Sequence, residues 1–423
     1  MEKEKLWATS GAPDVYGYKN PNSNSFFLSL FLRAGVMFGD EDVPGITHFL
    51  EHIMIRNVDA AMGGTLYSTL DREGLEFNAS TYSEMVQFYI CGAKEKLNIA
   101  RSILLKIFSP IILSPDEIKK EGERIKAEIR ENDERSSLAT FTSGFVYEGT
   151  PLARSITGTS ADVSRITKRR LDEYRKRVFT KENVFFYITG SYADEDASEL
   201  SAMLANLNLP SGNYHDNLAS VPERFFNRLP EVKIKNADYT MLRLTFDMDM
   251  SRYSMAESDI LYDMLLGGYN SRLYIELSEK RGLCYDVSGA MERYKNVGTF
   301  TFSVELKPRA VYDALKIIVD ILNEMKQRIF SEESLMKAGY VDNAYMLYDD
   351  ARELNFTFAY DNHIMDAGYK SLEMRKKIHD AVSPERIREV AHEIFKKENL
   401  TLTMKGAKRA VDTATITKIL GEL

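Results

Sequence analysis

The stretch His48-Phe49-Leu50-Glu51-His52 is the part of the sequence around which the other features can be ordered. On a helix, His48 and His52 are one turn apart, so both imidazoles project from one face, which Glu51 shares. Two neutral imidazoles in this arrangement can hold a zinc ion, and a carboxylate beside them can act as the general base for an attacking water. The same residues are also ordinary on a helix surface, and a pattern with three fixed positions arises by chance. Support for a metal site must therefore come from the rest of the chain.

The composition is that of a globular protein. The chain has 423 residues, of which 44% are hydrophobic and 28% charged, and this predicts about two to four domains with packed cores. The net charge is −8. Because no basic stripe offsets this acidic balance, nucleic acid is not expected as a partner.

Cysteine usage and the apolar runs bear on the compartment. The two cysteines, Cys91 and Cys284, lie far apart in the sequence; no disulfide framework is expected, which favours a reducing compartment. The first seven residues include two glutamates and lack the apolar segment that a secretory signal requires. No apolar run reaches the roughly 20 residues needed to span a bilayer. We therefore expect a cytoplasmic protein without a membrane span.

Apolar patterning predicts the strands and helices around the motif. Residues 25–36 alternate and cluster apolar side chains as a sheet strand does. Residues 63–74 predict a helix that ends at a glycine cap. The runs 76–82 and 85–91 predict two antiparallel neighbours in a sheet, and residues 183–190 predict a buried strand.

A charged helix follows these strands. Ser114 and Glu117 form a capping box, and the helix is predicted to run to about Asn132. Lysines and arginines interleave its glutamates, so most of them are expected on a solvated, salt-bridged face. Glu121 and Glu128 differ because they lie one heptad apart on one stripe, close to isoleucines at apolar positions. A carboxylate beside the buried side of a helix needs a partner, and a metal would be one.

The two halves of the chain resemble each other. Residues 177–190 match residues 393–406 in register at an offset of 216, sharing Phe, Lys, Glu, Asn and Gly. The same offset aligns His48–His52 with Met264–Gly268. Only the first copy therefore carries ligand-type residues, which favours a functional role for them.

This duplication predicts the domains and the fold class. We expect an α+β protein of two similar domains, each a mostly antiparallel sheet with helices packed on one side. The first, zinc-binding domain would cover residues 1–210, and the second, without metal ligands, residues 231–423. A polar stretch with Pro and Asn, residues 211–230, is the predicted linker between them.

Together these features resemble the M16 family of zinc peptidases, the family of pitrilysin, insulin-degrading enzyme and the mitochondrial processing peptidase. The inverted order of the motif, H-x-x-E-H, is that of an inverzincin. The resemblance covers essentially the whole chain and rests on separated motifs: Gly45–His52, Phe77–Thr81, Glu121–Glu128, Pro151–Gly158, Ser271–Leu273 and Gly282–Tyr285.

The resemblance implies a ligand set and a mechanism. In this family the third zinc ligand is a glutamate that follows the second histidine at a characteristic distance along the chain, and Glu128 lies at that distance from His52. His48, His52 and Glu128 would then hold Zn²⁺, with Glu121 as the supporting glutamate one heptad before the ligand. Glu51 would be the general base in the metal-assisted hydrolysis of a peptide bond.

The resemblance also implies where substrate binds. Asn78, Ala79 and Ser80 match the family's edge strand, to which an extended peptide adds by backbone pairing. Asn78 has an alternative interpretation as a turn residue at the end of a strand.

One position departs from the family pattern. Members usually carry an Arg seven residues before a Tyr in the second domain, the spacing of Ser278 and Tyr285 here, and the pair contacts substrate across a chamber. Here Tyr285 is present, but the Arg position holds Ser278, and Arg281 could substitute for it.

This departure bears on the partner. Family members of this length form clamshell homodimers, or heterodimers in which one chain carries zinc and a related chain carries the Arg/Tyr pair. Ser278 modestly favours the heterodimer, as in bacterial maturation of peptides such as bacteriocins. The alternative is a non-catalytic member that serves as a structural or substrate-binding subunit, although such members typically lack one or more of the site residues.

Overall fold

The described chain forms two compact units. The computed structural model describes residues 3–228, 232–235, 240–267, 270–329, 331–343, 345–406 and 411–423, and for residues 132–137 and 331–336 it describes the backbone alone. The first unit comprises Met1–Arg135, Arg154–Asn217 and Tyr345–Leu372. The second comprises Ser136–Ala153, Leu218–Ala344 and Glu373–Leu423. Each unit is therefore discontinuous in sequence.

The elements of the described residues follow in chain order. The strands are β1 (Lys5–Trp7), β2 (Asp14–Lys19), β3 (Ser25–Leu32), β4 (Glu76–Thr81), β5 (Val86–Ala93), β6 (Val184–Gly190), β7 (Val232–Lys235), β8 (Thr240–Asp249), β9 (Val287–Arg293), β10 (Val297–Leu306) and β11 (Leu400–Lys405). The α-helices are α1 (Ile46–Ala61), α2 (Leu66–Glu73), α3 (Leu97–Leu104), α4 (Pro115–Val146), α5 (Ser160–Val163), α6 (Lys168–Val178), α7 (Asp194–Ala205), α8 (Met255–Leu266), α9 (Arg272–Tyr274), α10 (Val311–Gln327), α11 (Ser331–Asn343), α12 (Met346–Asp349), α13 (Ala351–Ala359), α14 (Leu372–Asp380), α15 (Pro384–Ile394) and α16 (Thr413–Leu420).

The first unit is built on a six-stranded sheet in the order β1-β2-β6-β3-β5-β4. Its pairs are antiparallel except β2 with β6. In the centre, Leu28 of β3 lies opposite Ile188 of β6 and Ile90 of β5. Every residue of β3 after Ser25 is buried, as expected of a strand covered on both faces.

One face of this sheet packs on α1. Leu28 and Leu30 of β3 share a core with Phe49, Leu50 and Ile53 of the helix. Because these helix residues point inward, the opposite stripe of α1, with its two histidines, is left for the site.

The other face is covered by α13, which comes from the later part of the sequence. Asn355 Nδ2 donates to the carbonyl oxygens of Phe27 and Tyr187, and Ser29 Oγ donates to Asn355 Oδ1 at 2.7 Å. Thr189 Oγ1 donates to the Ala351 carbonyl oxygen at 2.6 Å. The segment 345–372 thus completes a sheet whose strands all end at or before Gly190.

The second unit repeats this arrangement with five strands in the order β7-β11-β8-β10-β9. Order and directions match β2-β6-β3-β5-β4, including one parallel pair, β7 with β11. One face takes the last part of α4: Thr142 Oγ1 lies 2.6 Å from Thr403 Oγ1. The predicted fold class, two similar α+β domains, is confirmed. The prediction that helices pack on one side of each sheet is wrong for the first sheet, because α1 covers one face and the exchanged helix α13 covers the other.

The offset of 216 holds for β6 and β11, the strands that carry the sequence match, but not for the first helix. Helix α1 begins at Ile46 and α8 at Met255, a smaller offset than that of the strands, because the connection before α8 is shorter. The alignment of His48–His52 with Met264–Gly268 is therefore wrong by about two turns, and Gly268 itself lies outside the described residues. The positions equivalent to His48, Glu51 and His52 are Glu257, Ile260 and Leu261, and neither histidine recurs.

Two predicted boundaries differ from the structure. Helix α4 continues to Val146, well past the predicted end near Asn132. The predicted linker contains no helix or strand over 211–228, and residues 229–230 lie outside the described residues. The two compact units also differ from the two domains predicted on either side of residues 211–230, since residues 136–153 and 345–372 each group with the other repeat.

Within the described chain, no helix has the length and apolar character of a bilayer span.

Candidate metal centre

The start of α1 is fixed by a close backbone contact. Gly45 precedes the helix with φ of 84°, a conformation that residues with a side chain rarely adopt. A Cβ on Gly45 would lie 2.4 Å from the Thr157 carbonyl oxygen, and a Cβ on Gly158 would lie 2.4 Å from that of Pro44. Both positions therefore require glycine, and the contact sets where α1 begins.

A buried carboxylate satisfies the first amide groups of this helix. Glu41 accepts hydrogen bonds from the backbone N–H groups of Gly45 and Thr47, and from Thr47 Oγ1 at 2.6 Å. Burial raises the pKa of Glu41, while these hydrogen bonds act in the opposite direction. Thr47 Oγ1 also lies 2.6 Å from the Tyr174 hydroxyl. This network holds the helix end that carries the histidines.

His48, His52 and Glu128 converge on one point. His48 Nε2 lies 3.6 Å from Glu128 Oε1, and His52 Nε2 lies 3.4 Å from Glu128 Oε2. One ligand atom from each residue lies within 4.8 Å of the others. Ligands at about 2.0–2.2 Å from a tetrahedral zinc are about 3.3–3.6 Å apart. The donor set therefore suits a zinc ion, and the separation of each histidine from a Glu128 oxygen is that of neighbouring ligands.

The protonation of His48 also suits a ligand. Burial, with a smaller contribution from His52, lowers the pKa of His48 to about 4. Its imidazole is therefore neutral near pH 7, the form that binds metal. Its Nδ1 is buried and has no hydrogen-bond partner among the described residues, so Nε2 is the nitrogen that faces a polar neighbour.

Glu121 orients the second histidine. Its Oε1 lies 3.0 Å from His52 Nδ1, and its side chain is only 3% exposed. Burial opposes the charged form of His52, but the hydrogen bond to Glu121 and the nearby carboxylates raise its pKa. With Nδ1 held in this way, Nε2 is directed at Glu128, which is the usual arrangement for a ligating imidazole. Glu121, predicted as the supporting glutamate, therefore lies where it positions His52.

Glu51 is held by Thr81, a residue outside the predicted site. Thr81 Oγ1, at the end of β4, donates to Glu51 Oε2 at 2.5 Å. Burial raises the pKa of Glu51, and the Thr81 hydrogen bond partly opposes this. Thr81 directly follows Ser80 in the predicted substrate strand, which is the one sequence signal that could have drawn attention to it.

These residues share a cavity of about 660 Å³ in the first unit. Two arginines outside the predicted site, Arg56 and Arg124, also line it. The lining residues are His48, Glu51, His52, Ile55, Arg56, Tyr67, Phe77, Asn78, Ala79, Ser80, Thr81, Glu121, Arg124, Glu128, Ile156 and Thr157.

The predicted substrate strand forms one wall of the cavity. Strand β4 is the edge of its sheet, paired with β5 alone. Asn78 lies within the strand rather than in a turn, and its Oδ1 accepts the Ala79 N–H at 2.9 Å. Among described strands, the second edge of β4 has no partner, so its backbone groups are available to an extended chain.

The remaining predicted site residues lie in the second unit. Arg281 Nη1 pairs with the carboxylate of Glu276 and donates to its carbonyl oxygen at 2.9 Å. Ser278 Oγ donates to the Tyr285 carbonyl oxygen at 3.0 Å, while the Tyr285 side chain is 95% exposed. Their role in substrate binding stays a prediction.

Comparison with known proteins gives the same family for both halves. Residues 15–160 match the sequence family described as Insulinase (Peptidase family M16), and residues 165–338 match that described as Peptidase M16 inactive domain. An uncharacterized zinc protease of Rickettsia felis is 25% identical over 330 residues, covering 76% of this chain and 78% of that protein.

Solved structures share the fold. A peptidase M16 inactive domain from Pseudomonas fluorescens superposes with a TM-score of 0.83 at 17% identity, over 96% of this chain and 98% of that one. A protease from Helicobacter pylori gives a TM-score of 0.81 at 17% identity, over 96% and 100%. At this identity the likeness establishes the fold alone.

Proposed function

The chain belongs to the M16 peptidase family, and on that premise we propose that it is a zinc-dependent endopeptidase. One observation carries the proposal: His48, His52 and Glu128 converge beside Glu51 in a single cavity whose wall is an unpaired strand edge. Metal-assisted hydrolysis needs three protein ligands, a base and a place for the peptide, and this cavity offers all of these.

His48, His52 and Glu128 would hold the zinc ion. When bound, zinc supplies Lewis-acid polarisation of the peptide carbonyl and lowers the pKa of an attacking water. Glu121 keeps the His52 ring in the orientation that ligation requires.

Glu51 would move the proton. Its carboxylate accepts a proton from the attacking water and passes it to the nitrogen of the leaving amine. Burial raises the pKa of Glu51 toward neutral pH, where a general base is most effective. The Thr81 hydroxyl holds one carboxylate oxygen, so the other is free to face the water.

Strand β4 would bind the substrate. An extended peptide that pairs with Asn78–Ser80 adds a strand to the sheet and lies along the cavity. Backbone pairing is independent of side chains, so this contact supplies affinity and other parts of the cavity supply selectivity.

Glu51→Gln tests the catalytic proposal. The amide keeps the shape of the side chain but cannot accept the proton, so zinc should stay at about one ion per chain while kcat falls at least about 100-fold. Zinc is measured by metal analysis and cleavage with a fluorogenic peptide mixture. Glu123→Gln, on the exposed face of α4, is the matched control. A parent chain without zinc and without cleavage would indicate the non-catalytic subunit instead. A Glu51→Gln variant that cleaves as fast as the parent would contradict the role of Glu51 as general base.

We also propose a dimeric working form, with a related chain as the favoured partner. The support is Ser278 at the position where the family carries an Arg, together with the engagement of Arg281 by Glu276. The purified chain alone should then show low activity that rises when the related chain is added. Full activity from a pure homodimer, sized by light scattering, would contradict the heterodimer.

A further inference from the structure

Two arginines lie on the cavity wall beside the candidate zinc ligands. Arg56 lies one turn after His52 on α1, and Arg124 lies one turn after Glu121 on α4. Both line the cavity, and their side chains are 44% and 66% exposed. Two guanidinium groups from different helices therefore meet at one end of the site.

A single carboxylate faces both of them. Glu121 Oε2 lies 3.5 Å from Arg56 Nε and 3.1 Å from Arg124 Nη1, while Oε1 is taken by His52. Within the described residues, no other carboxylate lies within ion-pair distance of either guanidinium, and their remaining N–H groups make no hydrogen bond to protein. The two guanidinium groups therefore carry one positive charge in excess of the carboxylate that they contact, and their other N–H groups are open to a ligand.

We propose that Arg56 and Arg124 form a subsite for a carboxylate of the peptide substrate, supplied by an acidic side chain or by the C-terminus. The inference rests on the proposed peptidase function and specifies its substrate class. A guanidinium presents a planar set of donors that matches a carboxylate. A substrate carboxylate between Arg56 and Arg124 would replace water at the guanidinium N–H groups that Glu121 does not contact.

The subsite lies close to the scissile bond. One helical turn separates His52 from Arg56, a rise of about 5.4 Å, and an extended peptide advances about 3.3 Å per residue. The substrate residue that bears the carboxylate is therefore expected about one or two positions from the bond that is cleaved. A neutral residue there would leave the excess charge unpaired.

Binding to the full-length, zinc-loaded Glu51→Gln variant measures the subsite without cleavage. The probes are fluorescein-labelled decapeptides of alanine and serine that carry a single Asp at successive positions. Counterparts carry Asn in place of the Asp. Every peptide is made with a free and with an amidated C-terminus. Fluorescence anisotropy should give about 10-fold tighter binding for one Asp peptide than for its Asn counterpart, as expected for charged hydrogen bonds. If the C-terminal carboxylate is the ligand, peptides with a free C-terminus should bind more tightly than their amidated counterparts by the same factor.

Removal of the arginines should abolish the preference. Arg56→Gln combined with Arg124→Gln is expected to reduce it to within about twofold, whereas Lys119→Gln, which removes a charge from the exposed side of α4, should retain it. Equal binding of acidic and neutral peptides, absence of binding, or equal loss with Lys119→Gln overturns the inference. Cleavage of neutral peptides by the unmodified chain tests the peptidase proposal separately.

Discussion

Thr81 links the edge strand to the candidate general base. Its hydroxyl holds one oxygen of Glu51 at 2.5 Å, so the strand that would bind substrate also fixes the group that would move the proton. A displacement of β4 therefore changes both functions together.

Thr81→Val removes this hydrogen bond without changing the shape of the side chain. We expect unchanged zinc content and a fall of about 10-fold in kcat/KM, the equivalent of one charged hydrogen bond. Because the hydrogen bond lowers the pKa of Glu51, its loss raises that pKa, and the acidic limb of the pH profile should move to higher pH. Thr81→Ser keeps the hydroxyl and should stay close to the parent; an equal loss in both variants would indicate a steric role.

Local spacing in the sequence was enough to predict part of the candidate site. His48, Glu51 and His52 follow from one helical turn, and the family spacing then pointed to Glu128. Thr81 and Arg56 could not be predicted, because their roles depend on how closely a strand and a second helix approach α1. That distance is set by core packing and has no local signature.

The position of α1 depends on the contact between Gly45 and Thr157. Gly45→Ala would place a Cβ 2.4 Å from a carbonyl oxygen at a φ of 84°. We expect a loss of at least about 3 kcal/mol in unfolding free energy, measured by urea denaturation, together with weaker zinc binding as the helix shifts.

Gly63 offers the control for this substitution. It has a φ of 67° but no atom within 4 Å of an added Cβ. Gly63→Ala should therefore cost only the backbone penalty of about 1–2 kcal/mol. If both variants lose the same stability, the close contact of Gly45 does not matter.

A buried ionic cluster joins helix and strand in the second unit. Asp259 of α8 accepts from Arg293 Nη1 at 2.5 Å and from His379 Nε2 at 3.1 Å, with Arg375 Nη2 at 3.7 Å. Burial opposes its charge, but the Arg293 guanidinium, the contact with His379 and the Arg375 guanidinium hold the pKa of Asp259 well below its usual value. A carboxyl pKa lowered by folding stabilises the native state above about pH 4, and this stabilisation is lost as the pH falls further.

Asp259→Asn should therefore lower the free energy of unfolding by about 3 kcal/mol at pH 7. This loss should become smaller as the pH falls from about 4 toward 2. Urea midpoints across this range measure it. Asp263 of the same helix should have the opposite effect on stability, since burial raises its pKa to about 6. Asp263→Asn should therefore not lower the free energy of unfolding at pH 7. A pH-independent cost of Asp259→Asn would contradict the account.

Helix α4 shows why element boundaries were harder to predict. Its apolar stripe is interrupted by a polar run near residue 132, which indicated an end. The chain there contains no Pro or Gly, however, and Leu138 and Thr142 are buried again further along the helix. The first part of α4 belongs to one unit and the last part to the other, so its buried face changes along its length.

At the scale of the whole molecule, the exchanged segment 345–372 stabilises the unit that bears the site. Asn355→Ala removes hydrogen bonds to Phe27 and Tyr187 of the central strands. We expect a loss of about 2–3 kcal/mol in the first unit, measured by hydrogen exchange of β3 and β6. Exposed Glu353, on the same helix, provides the control Glu353→Ala, which should leave that exchange unchanged.

The duplication was readable from sequence, but this exchange was not. The offset of 216 between residues 177–190 and 393–406 follows from shared residues in register, and the strand order confirms the repeat. Residues 351–359 read as an ordinary helix with one apolar side. Nothing in that local pattern specifies which of two similar sheets the helix will cover.

The discontinuous first unit has a consequence for how the protein is made. Synthesis proceeds from the N-terminus, so all the candidate zinc ligands and every strand of the first sheet leave the ribosome before α13 exists. Until residue 372 has emerged, one face of that sheet lacks its cover and exposes apolar surface to the cell. The nascent chain should therefore need chaperone protection through most of translation, and its candidate metal centre should mature only near the end.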